Sequence, residues 1–483
     1  MWHRRPTCIA VVGVGLLWLA IAASHSEAAT RTQLPKVVRD ALVKSQIPAH
    51  SLSVFVQDVA APTPHLAVHA HQARNPASAI KLLTTIVALE VLGPEYQFRT
   101  EAYRDGPLVD GRLRGNLILK GYGDPWLSAE VFWSFVQSIR DRGVHHVEGD
   151  LILDDRFFQT PSERSGAFDG QPYRLYNATP APLLLNFQAT QFQFSPDAST
   201  RRVAITPYPR QSNLYIDNRL KPVKGRCQGR HHGTRMRVTH NQDGSRVLFT
   251  GDYPLACGEM ALHRVIQEPV PHLFGAFQAL WQEMGGTLGG RLRLGAVPAH
   301  AHKIYVRRSR PLAELIRGIN KFSNNVMARQ LLLTLSAEQY GVPGTVENGR
   351  KAIGAWLQQN GIPAAGVVID NGAGLSRHVR ITSATLGHVL RRAYASIYQP
   401  EFLASLPLVG LDGTMRRRFK NGPLTGRARI KTGSLNQVRA MGGYVLGHEE
   451  RQWVVVAILN HARARGWQGK AVMDAILRWV ATQ

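Results

Sequence analysis

The chain has 483 residues, 44% of them hydrophobic, with 44 Gly and 27 Pro. This excludes an intrinsically disordered protein and exceeds one ordinary core, so two or three domains are expected. The 58 Lys and Arg against 33 Asp and Glu leave a formal charge of +25, which draws the protein towards anionic surfaces such as lipid headgroups, lipopolysaccharide or wall polymers.

Residues 1–28 read as a secretory signal. Arg4 and Arg5 form a basic start, 9–23 is apolar, and Ser26-Glu27-Ala28 offers small residues for cleavage. The apolar run is short for a membrane span, and cleavage or retention as an anchor stays open. Export to the periplasm or cell envelope follows, which argues against nucleic acid as a partner. Cys8 lies in the signal. The remaining pair, Cys227 and Cys257, is expected to form one disulfide in an oxidising compartment, two free buried thiols being the alternative. The His and Cys are scattered without zinc-ligand spacing, so no metal or other cofactor is expected.

A helix is predicted over 34–44 and a strand over 51–57, with 66–70 as its pairing partner. Asn75-Pro-Ala-Ser-Ala-Ile-Lys-Leu-Leu-Thr84 opens a second helix that is apolar on nearly every side and stops at Gly93-Pro94. From about residue 95 short strands (116–119, 150–153, 202–205, 246–249) alternate with turns, and helices are predicted over 131–142 and 271–284. Helices return over 311–320, 326–339, 347–360 and 383–397. Strands at 427–432, 441–446 and 453–459 suggest an antiparallel meander, and a helix over 468–480 closes the chain. The basic runs Arg307-Arg308-Ser309-Arg310 and Arg416-Arg417-Arg418 read as solvated faces.

Ser78 and Lys81 stand three residues apart, so they share a helix face and the amine can reach the hydroxyl. A serine is a poor nucleophile until a base takes its proton, and a lysine can be that base once burial or positive neighbours lower its pKa. The chain holds 12 Lys against 46 Arg and no other Ser-x-x-Lys. A lysine in the first turn of a buried helix needs a partner or a purpose. Two further motifs fit a serine–lysine enzyme. Ser323-Asn324-Asn325 lies between two predicted helices, and Lys431-Thr432-Gly433-Ser434 lies on a predicted strand before a hairpin. Ser323 can relay a proton between Lys81 and a leaving amine, and Asn325 can hold Lys81 or a substrate amide. Lys431 can depress the Lys81 pKa and attract an anionic terminus. Thr432 and Ser434 can bind a carboxylate, Gly433 lets substrate approach the strand, and the N–H groups of Ser78 and Ser434 can form an oxyanion hole.

This motif set is that of penicillin-binding proteins and class A β-lactamases. With Gly121-Tyr-Gly-Asp-Pro125, Asp370-Asn-Gly-Ala-Gly-Leu-Ser376 and Leu408-Val-Gly-Leu-Asp-Gly-Thr-Met-Arg-Arg-Arg418, nearly the whole mature chain resembles the peptidase S13 family of D-alanyl-D-alanine carboxypeptidases/endopeptidases, the class C low-molecular-mass penicillin-binding proteins. The 242 residues from Lys81 to Ser323 match the long insertion typical of that family.

The resemblance implies an α/β (α+β) fold: a discontinuous transpeptidase/β-lactamase-like domain (29–107 and 300–483), an antiparallel sheet flanked by helices, carrying two inserted mostly-β domains. One of these is expected at 108–122 and 203–299, and a nested one at 123–202. It implies Ser78 as acylated nucleophile, Lys81 as base, Ser323 and Asn325 in the proton network, and Lys431, Thr432, Gly433 and Ser434 at the substrate carboxylate. An acidic residue of the insertion is expected to read the diamino-acid side chain, with Asp154 as the match and Asp155 close behind. Asn324 stands where some relatives have Asp. The implied partners are peptidoglycan stem peptides and cross-links, with β-lactam antibiotics as acylating inhibitors. The alternatives are a β-lactamase or esterase using the same site, or a non-catalytic wall-binding scaffold.

Overall fold

The computed structural model describes residues 30–159, 165–197, 199–227, 229 and 233–483, so the signal expected at 1–28 lies outside the described residues. Its central sheet has five antiparallel strands in the order Ala428–Leu435, Val438–Leu446, Gln452–Asn460, Leu52–Asp58 and Leu66–Val68. Trp453 to Leu459 is an unbroken apolar run because both faces of its strand are covered. Val454, Val456 and Ile458 point to one helical layer, Val455, Ala457 and Leu459 to the other. The first layer contains the helices Lys81–Leu92, Leu312–Phe322, Asn325–Tyr340, Val346–Gln359 and Ser383–Tyr394. The second contains Lys36–Ser45 against Trp467–Val480. The meander expected at the end of the chain is present, with a two-residue turn at Asn436-Gln437 between the first two strands.

The strand Leu66–Val68 pairs with Leu52–Asp58 as expected. Gln399–Ser405 forms a further short helix that the sequence pattern did not announce.

Residues 99–308 build four other sheets among those described. One joins Arg99–Arg104, Leu117–Gly121, Leu151–Asp154, Leu292–Leu294 and His302–Arg308. Helices Ala129–Arg140 and Pro269–Glu283 pack on it and on a small sheet beside it, through Phe132, Phe135, Phe277 and Trp281. Two three-stranded sheets then face each other around Phe192, Phe194, Phe249 and Tyr253.

This pairing runs across the boundaries expected at 122/123 and 202/203. Leu117–Gly121 is hydrogen-bonded to Leu151–Asp154, and Arg202–Tyr208 to Thr190–Asp197. Short strands of one pattern carry no mark of which partner they will choose.

The basic runs are corrected in part. Arg307 donates to Asp124 at 2.8 Å, and Arg418 is paired with Asp474. Both guanidinium groups are mostly buried, so one residue of each run turns inward. Asp124 in turn accepts from the Trp126 N–H at 2.8 Å, which gives Gly121–Pro125 a structural purpose.

Cys227 and Cys257 are disulfide-bonded with Cα atoms 4.8 Å apart. The bond closes a 30-residue separation. Replacing both cysteines (Cys227→Ser with Cys257→Ser) is expected to cost about 3–4 kcal/mol from unfolded-chain entropy. The measurement is the urea midpoint of the variant against the oxidised wild type. An unchanged midpoint rejects this contribution.

Candidate active site

Ser78 lies on a 3-10 turn, Ala77–Ile80, that leads into the helix Lys81–Leu92. In 3-10 geometry side chains at i and i+3 eclipse, which aims Lys81 back at Ser78. The Lys81 amine donates to the Ser78 hydroxyl at 3.0 Å and to Asn325 Oδ1 at 2.7 Å. A third bond goes to the Ala373 carbonyl. Lys81 is fully buried, at 0% exposure, and every one of these acceptors is uncharged. Burial, and then the nearby charge of Lys431, hold its pKa well below the ordinary lysine value. An amine in that state can accept a proton from Ser78.

Ser323 and Asn325 come from the break between two helices. Ser323 ends Leu312–Phe322 in the left-handed conformation, φ 57° and ψ 38°. Asn324 then caps the next helix, its side chain accepting from the Met327 N–H at 3.1 Å. Asp and Asn are both good N-caps, which accounts for either residue at this position. Asn325 donates to the Tyr176 carbonyl at 3.1 Å, so its oxygen is left facing Lys81. The Ser323 hydroxyl accepts from Lys431 at 2.8 Å. Lys431 is also fully buried, and its other acceptor is its neighbour's carbonyl, Thr432 O, at 2.7 Å. Burial lowers its pKa to about 7.

The strand Ala428–Leu435 lies directly against the Ser78 turn. A Cβ at Gly433 would fall 2.2 Å from the Pro76 carbonyl oxygen and 3.1 Å from the Ser78 nitrogen, so the contact requires glycine. Thr432 Oγ1 stands 3.3 Å from Thr414 Oγ1, and Ser434 is exposed. The cleft in front of Ser78 has a volume of about 470 Å³ and is walled by Tyr176, Ser323, Asn325, Arg377 and Ser434, among others.

Asp154 is not among the residues of this cleft. It is 1% exposed, its carboxylate held by Arg156 at 2.9 and 3.0 Å and lying 3.7 Å from Lys120. It borders a separate cavity with Tyr122 and Phe157. Among the described residues, the acid that lines the Ser78 cleft is Asp169. Asp169 accepts from the Tyr176 hydroxyl at 2.8 Å and from Asn177 at 2.9 Å. Burial pushes its pKa up, but these bonds and the Gln171 N–H outweigh burial and leave it below the usual value.

Sequence comparison places this geometry in a lineage. A model of the D-Ala-D-Ala carboxypeptidase 3 (S13) family matches residues 34–483. The chain belongs to that family. A D-alanyl-D-alanine carboxypeptidase of Actinomadura sp. is 29% identical over 417 residues, 83% of this chain and 76% of that protein. The carboxypeptidase DacB of Haemophilus influenzae is 23% identical over 390 residues, 80% of each chain. The fold is that of H. influenzae penicillin binding protein 4, with a TM-score of 0.78 over 92% of this chain and 99% of that one, at 21% identity. A second structure of that protein carries a β-lactam and gives a TM-score of 0.73. A predatory endopeptidase of Bdellovibrio bacteriovorus gives 0.52 over 89% of this chain, at 16% identity.

Sequence reasoning quoted the segment Asp370–Ser376 only as a family motif and gave it no task. In the structure it is the third wall of the lysine pocket. Its Ala373 and Gly372 carbonyls accept from Lys81 and Thr84, and Ser376 O accepts from Asn75 at 2.9 Å. The two closely spaced glycines, Gly372 and Gly374, both at positive φ, were the available signal. Asp169 had none, since no local pattern marks which acid of a long insertion reaches the cleft.

The neutral fraction of Lys81 grows as pH rises through its pKa, and the charge of Lys431 holds that pKa down. Lys431→Met is therefore expected to move the rising limb of the β-lactam acylation rate to higher pH. Saturation kinetics across pH check this, and a limb that stays in place rejects the coupling.

Proposed function

We propose that the protein is a serine-type DD-peptidase of the bacterial cell envelope, cleaving D-alanyl-D-alanine termini and D-alanyl-diamino-acid cross-links of peptidoglycan through an acyl-enzyme on Ser78. The observation that carries this reading is the wholly buried Lys81 amine, 3.0 Å from the Ser78 hydroxyl and bonded only to uncharged acceptors.

The chemistry follows from these positions. Lys81 takes the Ser78 proton as the oxygen attacks the D-alanyl carbonyl carbon. The N–H groups of Ser78 and Ser434 receive the developing oxyanion. Collapse breaks the C–N bond, and Ser323, bonded to Lys431, relays the proton held by Lys81 to the leaving amine, which returns Lys81 to its neutral form. Water, deprotonated by Lys81, then cleaves the ester and frees Ser78. Lys431, Thr432 and Ser434 hold the terminal carboxylate of a carboxypeptidase substrate. An arriving carboxylate stabilises the charged form of Lys431 and raises its pKa again. β-Lactams present a carbonyl and a carboxylate of similar spacing and acylate the same serine. The formal charge of +25 draws the protein towards anionic envelope polymers.

We further divide the chain as the strand pairing suggests. Residues 30–98 and 309–483 form the catalytic unit, 99–159 and 265–308 the first insertion, and 165–264 the nested one.

Wild type is expected to form a stable, stoichiometric adduct with a fluorescent penicillin, and Ser78→Ala none. Equal labelling of the two rejects the nucleophile, and rapid multiple turnover of nitrocefin favours a β-lactamase instead. Mass spectrometry of digested muropeptides separates the two outputs: loss of one D-Ala from monomers is carboxypeptidase action, and splitting of dimers is endopeptidase action.

Asp169 takes the role assigned by resemblance to an acid of the insertion, reading the amine of the third residue. Asp169→Asn is expected to raise KM about tenfold for stem peptides with a free side-chain amine there, the worth of one charge-assisted hydrogen bond. Penicillin acylation should stay within about twofold of wild type, since a change below about 0.4 kcal/mol is what that ratio means. Asp154→Asn is expected to leave that KM unchanged while lowering stability by about 1–3 kcal/mol. The reverse pattern returns the role to Asp154.

A further inference from the structure

The Ser78 cleft does not end at Ser323. Tyr176, Ser323 and Asn325 also form a wall of an adjoining cavity of about 540 Å³, with Phe322, Phe187 and Gln191 among its other walls. That cavity in turn shares Glu130 and Tyr208 with a third, of about 770 Å³, flanked by Trp133. The Tyr208 hydroxyl donates to Glu130 at 2.7 Å and makes a sill between the two. Each volume falls in the range of about 300–1,000 Å³ common for ligand sites. The nucleophile thus stands at one end of a series of three hollows that leads onto the inserted domains.

Two properties of this route narrow its occupant. Aromatic rings stand open along it: Phe322, Tyr208 at 43% exposure and Trp133 at 51%. Open rings beside polar groups suit ligands with an apolar face and a polar edge. The second property is charge. The protein carries 58 Lys and Arg, yet among the described residues the hollow next to the Ser78 cleft has none in its walls, and the third has Arg210 against Glu130 and Glu283. A peptide tail with free carboxylates, or a phosphate polymer, meets no lysine or arginine among the described walls of the middle hollow and two carboxylates beside the single Arg210 of the third. A neutral sugar ring does not need one. Its C–H face can stack on an aromatic ring, and its hydroxyl and N-acetyl groups can bond Gln191, Gln193 and the Glu130 carboxylate. Hydrogen bonds from Ser128 and Tyr208 keep that carboxylate ionised.

We propose that this aromatic route, whose middle hollow has no lysine or arginine among its described walls, binds the neutral amino-sugar strand to which the stem peptides are attached, so that glycan-linked substrate is held from Trp133 to Ser78. The proposal rests on the DD-peptidase reading and extends it from the peptide to the polymer. It makes Trp133 and Tyr208 binding residues that do not touch the scissile bond.

The test compares Trp133→Ala and Tyr208→Ala with wild type on two substrates bearing the same stem peptide. One is a sugar-free pentapeptide, the other a pentapeptide on an oligomeric amino-sugar strand. A fluorescent penicillin, which needs only the Ser78 cleft, reports that each variant is folded. The expected result is a five- to twentyfold rise in KM for the glycan-linked substrate alone, with kcat, the sugar-free KM and penicillin acylation unchanged. An N-acetylglucosamine tetramer should inhibit cleavage of the glycan-linked substrate by wild type and lose that effect in Trp133→Ala. Equal KM changes on both substrates overturn the proposal in favour of a peptide occupant, and unchanged KM on both overturns it outright. Should wild type neither bind penicillin nor cleave the sugar-free peptide, the DD-peptidase reading itself fails, an outcome distinct from either of these.

Discussion

A primary amine kept out of water without a counter-ion is the constraint around which this structure is arranged. Left in solvent, Lys81 would stay protonated near neutral pH and could not serve as a base. Removing it from water disfavours the charge, but the nitrogen still needs partners, since an unsatisfied buried polar group is costly. Three elements distant in sequence meet this need with uncharged oxygens: the Ser78 turn, the start of Asn325–Tyr340 and the loop at Ala373. A carboxylate in any of those places would have restored the charge and removed the basicity.

The same demand explains how tightly the backbone is drawn together here. A Cβ at Gly374 would fall 2.0 Å from the Ala77 carbonyl oxygen, and one at Gly433 would strike the neighbouring Pro76. Asn75 and Asn460 clamp the turn to the sheet by reciprocal bonds of 2.9 and 3.0 Å. Ala77 is held at φ 46°, a conformation that costs a non-glycine residue energy and persists only when the surroundings fix it. One strained residue and two close backbone approaches therefore lie beside Ser78, on a sheet and helices whose own packing is regular.

Much of this was legible beforehand, for identifiable reasons. The helix Lys81–Leu92 and the strand Gln452–Asn460 are buried all round, and continuous apolar runs report that directly. The Ser78–Lys81 relation is local, so spacing alone predicts it. Ser323 and Lys431 were legible as motif members, and their 2.8 Å contact follows once the fold closes. What sequence could not carry was the choice among equivalent partners. Asp154 and Asp169 are both acids in one insertion, but Asp154 is consumed by Arg156 and Lys120 on a sheet strand, while Asp169 sits on a turn at the cleft. The strand pairing across the boundary expected at 122/123 was hidden in the same way, because the four-residue strand Leu151–Asp154 carries no mark of its partner Leu117–Gly121. The inward turn of Arg307 depended on Asp124, nearly two hundred positions away.

The two buried lysines also divide the electrostatic labour. Both lie near each other and face only neutral oxygens, so protonating one makes protonating the other harder. Burial and this repulsion hold the Lys81 pKa well below the ordinary lysine value, the direction that a base for Ser78 requires. On the DD-peptidase function we propose, a substrate carboxylate arriving at Thr432 and Ser434 would supply a negative charge beside Lys431 and make its charged form the stable one. That charge in turn presses the Lys81 pKa further down at the moment when the carbonyl is in place. On that proposal substrate binding and base activation are coupled through the repulsion between two like charges. On the same proposal a substrate without its carboxylate forgoes the second half of that effect, so discrimination in rate needs no moving part.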